Sequence, residues 1–382
     1  MPFLFLALLM LLGFLRTTYF VAVVLVVTLL LTNLAAAQVP PSRHAVLARG
    51  ININKWFTDP YVKPLDYYAH YVSPALLNQI KSAGFTYIRI PLSPFALQQP
   101  DGSLNVNVAK ALVQQIASIQ SMGLGVSISP ERQKWQLQDN AHDRELVAQF
   151  WDQLAPLLAS LNPDLTFPEI LNEPNFPNGS DWDTLQFHLF QIIRGHLPNI
   201  TILATGNHWD DVTNLPKVKL LPDRNIIYMF HFYDPGFLTS TEAKDVPAQD
   251  LPAMSALIFP VDDPAFCTDT SRLAQTPNTQ GQIKWYCKSG WTVAKIRASI
   301  HAVAEWARQN GVVAADEEFG ILDNRSRQTR LAYLRAVREA CEAEGMGWGL
   351  WAYNDGFGFS ISLEKPGLQP LDPDILQALG LH

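Results

Sequence analysis

Two short motifs place a glutamate where chemistry could be done: Asn172-Glu173-Pro174 and Glu317-Glu318-Phe319-Gly320. Each closes an apolar run, and Arg89, His231, Tyr233 and Trp351 lie between and around them. Two carboxylates from different segments, with a guanidinium, an imidazole, a phenol and an indole close by, are the equipment for cleaving a glycosidic bond. One acid protonates the leaving oxygen while the other carboxylate attacks or stabilises the anomeric carbon. An indole suits a sugar because pyranose rings present apolar C–H faces. Trp56 and Trp209 are further candidate platforms, with packing as the alternative, and Trp135 is open in the same way. Trp285 and Trp291 are expected to pack the segment that they border. Arg89 could equally be a barrel-core ion pair, and His231 on its own would be a structural histidine. Glu317 and Glu318 are adjacent on a strand and so are expected to face opposite ways, with Glu318 favoured by the Phe-Gly that follows.

The elements that must position these residues are short β-rich runs alternating with amphipathic helical patterns. The runs are Ala45–Asn54, Thr86–Pro91, Gly123–Ser129, Phe167–Leu171, Ile200–Ala204, Ile226–Phe232, Gly311–Glu318 and Met346–Tyr353. The helical patterns include Pro74–Ala83, Val106–Met122, Glu145–Leu161, Asp183–Leu197, Thr292–Gln309 and Arg325–Glu344. Several end on a glycine just before the next strand, as at Gly84, Gly123, Gly311 and Gly345, where a left-handed cap turns the chain back. Near-continuous apolar strands separated by helices mean a parallel sheet covered by helices. Eight such units predict an α/β fold, a (β/α)8 TIM barrel in a single catalytic domain over residues 38–382. The active site of such a barrel lies at the C-terminal ends of the strands. Arg49-Gly50-Ile51-Asn52 lacks the dinucleotide-binding fingerprint, so no cofactor is expected.

The chain has 382 residues, 16% of them charged, with 20 Phe, 11 Tyr and 10 Trp, a composition that excludes disorder. A net charge of −7 and scattered Lys and Arg exclude nucleic acid as a partner. No Cys/His cluster has metal spacing, so no metal is expected. Residues 1–37 hold one charged side chain, Arg16, and end in Ala35-Ala36-Ala37. That pattern predicts a signal peptide; the rival is a membrane anchor carried by residues 17–37. Either way the barrel is expected to be exported, secreted or periplasmic, with a membrane tether as the second possibility. Cys267 and Cys287 would then meet oxidising conditions and are expected to form a disulfide, while Cys341 is expected to be a buried apolar residue. They lie in or beside the longest connection, an insertion over residues 234–289 after the sixth strand, expected to wall one side of the cleft.

The ordered set Arg89, Asn172-Glu173-Pro174, His231-Phe232-Tyr233, Glu318-Phe319-Gly320 and Trp351 resembles glycoside hydrolase family 5, the cellulase family of retaining barrel enzymes. The segment His231-Phe232-Tyr233-Asp234-Pro235 is more similar to its endoglucanase branch than to its mannanase branch. The resemblance implies Glu173 as general acid/base and Glu318 as nucleophile. It implies Asn172 as a partner of the substrate 2-hydroxyl, Tyr233 and Arg89 as holders of Glu318, His231 as a bridge toward Glu173, and Trp351 as a subsite floor. The partner it implies is a β-linked polysaccharide or oligosaccharide, with β-1,4-glucan leading. Mannan, β-1,3-glucan, transglycosylation and a non-catalytic polysaccharide-binding barrel are the alternatives. One position departs from the pattern. Ser127-Ile128-Ser129-Pro130 puts Ser129 where the family usually has a histidine; the readings are a shifted substrate preference, a lowered activity, or another residue, such as Glu131 or Gln133, filling the gap.

Overall fold

The computed structural model describes residues 38–365 and 367–382; the expected leader or anchor over residues 1–37 lies outside them. Among the described residues no helix is long and apolar enough to cross a membrane. Eight parallel strands run as β1 (Arg49–Asn52), β2 (Tyr87–Leu92), β3 (Gly125–Pro130), β4 (Thr166–Pro168), β5 (Ile202–Thr205), β6 (Ile226–Phe232), β7 (Val313–Phe319) and β8 (Trp348–Leu350). Their hydrogen-bonded order is β4-β3-β2-β1-β8-β7-β6-β5. The remaining gap is bridged where Ile170 N–H donates to Leu203 O at 3.0 Å and Glu169 pairs with Leu203. The expected (β/α)8 barrel is therefore present. Three strands are markedly shorter than expected: residues 41–46 are a helix rather than the start of β1, β4 ends at Pro168, and β8 spans only Trp348–Leu350.

Helices Pro74–Ala83, Val106–Ser121, Ala141–Leu158, Gly179–His196, Val293–Asn310 and Arg327–Ala343 cover the sheet. Their starts and stops follow local chemistry. Ser73, Asn105, Thr292 and Ser326 each accept a backbone N–H at a helix N-terminus, and Gly84 and Gly311 take the left-handed cap conformation that costs other residues more. Within Val106–Ser121, Val108, Leu112, Ile116 and Ile119 are buried, one stripe of a helix facing the sheet. The β5–β6 connection holds a single 3-10 turn, Leu215–Lys217, because its residues are spent at the catalytic face.

Inside the barrel the strands alternate. An apolar layer of Leu47, Tyr87, Phe167, Leu203, Ile227, Met229 and Ala315 plugs one end. Tyr87 occupies the centre because Gly50 and Gly349 present no side chain; a Cβ on either would run into its ring or hydroxyl. Two residues further along each strand, the same inward face turns polar: Asn52, Arg89, Glu169 and Glu317 are all fully buried.

The insertion folds into short helices, among them Pro264–Asp269 and Pro277–Ser289, with Cys267 and Cys287 disulfide-bonded at a Cα–Cα distance of 5.5 Å. Cys341 is free and buried. Arg325 Nε donates to Leu238 O at 2.8 Å, Thr329 Oγ1 to Leu257 O at 2.8 Å and Tyr333 Oη to Asp234 O at 3.1 Å, so the insertion is fastened to the β7 end and to helix Arg327–Ala343. Trp291 is buried as expected, but Trp285 is 62% exposed and packs nothing in the way its position suggested. The disulfide closes a sequence separation of 20 residues, for which the chain-entropy account gives about 3 kcal/mol. Replacing both cysteines by serine should therefore lower the unfolding free energy by up to about 3 kcal/mol, read by denaturant titration of oxidised wild type against the double variant.

Candidate active site

The site is built upward from Arg89. Its guanidinium is fully buried, and every N–H has an acceptor. Nε donates to Glu169 Oε2 at 3.0 Å. Nη1 donates to Asn52 Oδ1 at 3.1 Å and to Glu318 Oε1. Nη2 donates to Ser129 Oγ at 3.0 Å and Asn172 Oδ1 at 2.6 Å. A third carboxylate, Glu317, comes within 3.1 Å of Nε. Three carboxyl groups around one cation in a water-free layer cannot all be ionised without a large desolvation penalty. Burial, with Glu169 beside it, pushes the Glu317 carboxyl well above the ordinary range. Glu169 Oε1 and both Glu317 oxygens have no hydrogen-bond partner among the described residues; a proton on Glu317 donated to Glu169 would engage two of these three oxygens.

Glu317 and Glu318 both face inward, against the expectation from strand alternation. The reason is a register shift against β6, where Phe230 pairs with Asp316 but His231 pairs with Glu318. The extra residue re-aims β7 at its catalytic end, as β-bulges do. Gly320 belongs to the same device: a Cβ there would meet Trp351 O at 2.6 Å and Phe357 Cβ at 2.8 Å. The Phe-Gly after Glu318 is thus a close backbone approach that brings the end of β8 against β7. Tyr233 Oη donates to Glu318 Oε2 at 3.1 Å. Burial raises the Glu318 carboxyl above its ordinary value, and His231 and Arg89 oppose that shift without cancelling it.

His231 sits between carboxylates. Nδ1 is 3.2 Å from Glu173 Oε1, and Nε2 is 3.7 Å from Glu318 Oε1 and 3.9 Å from Asp210 Oδ2. Burial disfavours its charge, but Glu318, the Glu173 hydrogen bond and Asp210 outweigh that and hold the imidazole protonated well above its usual value. Asp210 was not singled out from the sequence. It is delivered by a run in which His208, Trp209 and Asp210 all take left-handed φ values of 58°, 57° and 55°, with Glu173 at 47°. Each such residue costs roughly 1–2 kcal/mol, and strain of this kind is tolerated where surrounding bonds over-determine it. Here Trp209 N–H donates to Pro174 O at 3.1 Å and His231 N–H to Asp210 O at 2.8 Å. Glu173 N–H donates to Asp210 Oδ2 at 2.7 Å.

Above this layer Glu173 is the exposed member, with 32% of its side chain accessible against 5% for Glu318. Ligand atoms of Glu173, His231 and Glu318 lie within 4.8 Å of one another. Among the described residues this is the grouping with metal-like spacing, but the charge that its neighbours hold on His231 opposes ligation. Short carboxyl separation is what double displacement at an anomeric carbon requires. A profile described as cellulase (glycosyl hydrolase family 5) matches residues 47–356. The chain belongs to glycosyl hydrolase family 5.

Curated relatives agree. Endoglucanase 3 of Fibrobacter succinogenes is 28% identical over 221 residues, covering 56% of this chain and 33% of that protein. Endoglucanase C of Acetivibrio thermocellus is 22% identical over 205 residues, covering 51% of this chain and 60% of that protein. The chain thus spans between a third and three-fifths of the length of these relatives. Thermotoga maritima Cel5A, solved with cellobiose, superposes with a TM-score of 0.71 at 21% identity, covering 89% of this chain and 100% of that one. The same protein has been solved with mannotriose.

In this family 5 barrel, the residues singled out from sequence divide clearly. Glu173, Glu318, Arg89, Asn172, His231 and Tyr233 are brought into one cluster. Trp351 stands at the end of β8, half-buried, against Gly320. Trp209 is 50% exposed and lines a cavity of about 480 Å³ with Glu173, His208, His231, Tyr233 and Asp234. From the insertion this cavity takes Asp234 and Gly236, so the insertion borders the cleft through its first residues. A second cavity of about 570 Å³ on the other side of Glu173 is lined by Glu131, Gln133, Trp135, Gln138 and Phe176. Trp56 is a correction: it is fully buried, with its indole N–H bonded to Tyr68 O at 2.9 Å, and it packs the β1 loop instead of facing a sugar. Asn52, Glu169, Glu317 and Asp210 were missed as site residues. Glu169 and Glu317 carried a signal, being acids at inward positions two residues beyond Phe167 and Ala315.

The charge layer makes stability depend on pH in one direction. Asp210, Asp316 and Glu317 are all held well above their ordinary values by burial. The native state keeps protons that the unfolded chain releases above about pH 4–4.5, so stability falls as pH rises from there. His231, raised by its carboxylate neighbours, contributes stability that is full below about pH 6.5 and lost as pH climbs toward its folded value. Both effects have the same sign. The unfolding temperature should be several degrees lower at about pH 8.5 than at about pH 5.5, measured by calorimetry at constant ionic strength.

Proposed function

We propose that the protein hydrolyses O-glycosidic bonds of a β-linked polysaccharide with retention of anomeric configuration, acting as an endo-β-1,4-glucanase. The observation that carries this reading is the spacing within 4.8 Å of Glu173, His231 and Glu318 ligand atoms. One carboxyl of the pair is gripped from below and the other is open to the cleft. Retaining enzymes hold their two carboxyl groups about 5–5.5 Å apart, close enough for one to attack directly. Glu318, aligned by Arg89 and by Tyr233, attacks the anomeric carbon, and Glu173 gives its proton to the departing oxygen. The covalent glycosyl-enzyme is then opened by a water whose proton Glu173 takes back. Positively charged His231, 3.2 Å from Glu173, steadies the carboxylate formed when that proton leaves. Asn172 has its oxygen on Arg89 and one amide N–H on Glu131, which leaves its second N–H for a substrate hydroxyl.

The relatives named endoglucanases support β-1,4-glucan as substrate, and Trp209, which lines the cavity beside Glu173, provides a face for a pyranose ring. β-Mannan is the second reading, favoured by the mannotriose complex of the Thermotoga protein. The apolar residues 1–37 support export of the barrel as a secreted or periplasmic enzyme, or one tethered by residues 17–37.

Incubation with β-1,4-glucan, mannan, xylan and β-1,3-glucan, followed by proton NMR of the first anomer released, tests the reaction and the substrate together. A β-anomer from one polymer is expected. E318A should lose turnover by a factor on the order of 10⁴ or more while keeping oligosaccharide binding. E173A should lose polymer cleavage yet still react with an activated aryl glycoside, whose leaving group needs no proton. An α-anomer from wild type, or turnover surviving in E318A, would overturn the assignment.

A further inference from the structure

Glu131 is a carboxyl in the cleft for which the reaction as described has no use. It follows β3, where its backbone N–H donates to Leu92 O at 2.8 Å and its backbone pairs with Asn172. Its Oε2 accepts from Asn172 Nδ2 at 3.1 Å. Its Oε1 has no protein partner among the described residues, and the side chain lines the 570 Å³ cavity together with Glu173, Gln133 and Trp135. Ser129, at the position where the family pattern has a histidine, is fully buried and accepts from Arg89 at 3.0 Å. The serine therefore serves the cation beneath, and the cleft at this point is bounded by Glu131 instead.

We propose that Glu131 is a substrate-binding residue which meets the sugar as a neutral carboxylic acid. Its Oε1–H donates a hydrogen bond to a hydroxyl of the glycosyl unit beside Glu173, while Oε2 holds Asn172 in place. This rests on the glycosidase reading of the site. The surroundings favour the neutral form. Glu318 on β7 and Glu173 and Glu169 beyond β4 face it with carboxyl groups, and Glu317 lies deeper in the same layer. Arg89 on β2 is the nearby cation but has every N–H already engaged, and His231 on β6 is taken by Glu173 and Glu318. Arg132, the next residue along, lies on the cavity rim. Burial first, then the charges of Glu318 and Glu173, push the Glu131 carboxyl up to about 8, against the opposing pull of Arg89. A hydrogen-bond donor thus stands at the missing imidazole's place without adding a cation, and it persists to a higher pH than an unperturbed histidine would allow. A donor built for a hydroxyl also discriminates against sugars that lack one there.

The test is the pH dependence of kcat/KM on the polymer that wild type cleaves, for wild type, E131Q and E131A, together with cellobiose affinity by calorimetry at about pH 6 and about pH 9, either side of the group's titration. In wild type both kcat/KM and affinity should fall as pH rises through the Glu131 titration. E131A should lose about tenfold to a hundredfold in kcat/KM, the worth of one good hydrogen bond in a dry site. E131Q, which keeps a donor that does not titrate, should retain a larger share than E131A, and its alkaline limb should move upward. An alkaline limb unmoved in E131Q, or E131Q as impaired as E131A at low pH, would overturn the proposal. If wild type releases no sugar from any polymer, the glycosidase reading fails separately, and the cellobiose affinities decide. Affinity that drops with pH in wild type but not in E131Q supports the contact; pH-independent affinity, or no binding, overturns it. If E131A does not fold, as judged by its melting curve, the wild-type and E131Q comparison decides alone.

Discussion

The guanidinium of Arg89 is the cation on which the buried half of the site depends. Burying an arginine costs several kcal/mol even after relaxation, and the barrel offsets that only by meeting each N–H with an oxygen. The acceptors come from β1, β3, β7 and the segment beyond β4, so one side chain fixes how four strands stand relative to each other at the catalytic end. A lysine would carry the same charge but lacks the planar fork that reaches those acceptors together. Losing any one partner leaves a buried charge under-satisfied, which typically costs about 3–5 kcal/mol. Glu318 is one of these partners, so its position is set by the same bonds that join these strands.

Around that cation the carboxyl groups divide by what they can reach. Glu318 touches Arg89 and lies near protonated His231, which together oppose the effect of its burial. Glu317 shares Arg89 with Glu169, and burial beside that second carboxyl keeps it well above the usual carboxylate range. Asp210 and Asp316 have no arginine at all, and burial keeps them well above the usual carboxylate range. Of Glu173 and Glu318, Glu173 is the one that opens to the cleft, as the proposed exchange of its proton with substrate and water requires. The left-handed turn through His208, Trp209 and Asp210 serves this division from both sides. It holds Asp210 under the Glu173 backbone and presents Trp209 to the cavity beside it.

The strand–helix alternation was legible because each strand is a short apolar run and each helix carries a one-sided stripe closed by a cap. Glu173 and Glu318, which the structure brings together, stood out because both end such runs. Legibility failed where the backbone departs from regular geometry. Alternation placed Glu317 and Glu318 on opposite faces, and a one-residue register shift against β6 put both inside. Asp210 was invisible because three successive left-handed residues, none of them glycine, have no signature in sequence. Trp56 has the composition and position of a sugar platform, yet its indole N–H reaches the Tyr68 carbonyl, a contact made only once the β1 loop has folded. Trp285 was misread in the opposite sense, since the disulfide beside it closes the insertion without covering it.

These failures separate two kinds of constraint. Residues of the inner layer are fixed by charge satisfaction, since every oxygen around Arg89 must be there and must face inward, and substitution at any of them leaves an unpaired group. Residues at the rim are held by far less. Trp209 and Glu131 line the two cavities without being needed to neutralise anything beneath them, whereas Ser129 is buried and its hydroxyl accepts from Arg89. On the proposed reading, the attacking carboxylate Glu318 belongs to the constrained layer, while the aromatic platform Trp209 belongs to the rim. The buried layer can stay constant while the rim changes its donors and its aromatic faces, and that is why a family resemblance legible in the glutamates speaks clearly about the reaction and only weakly about which polysaccharide enters.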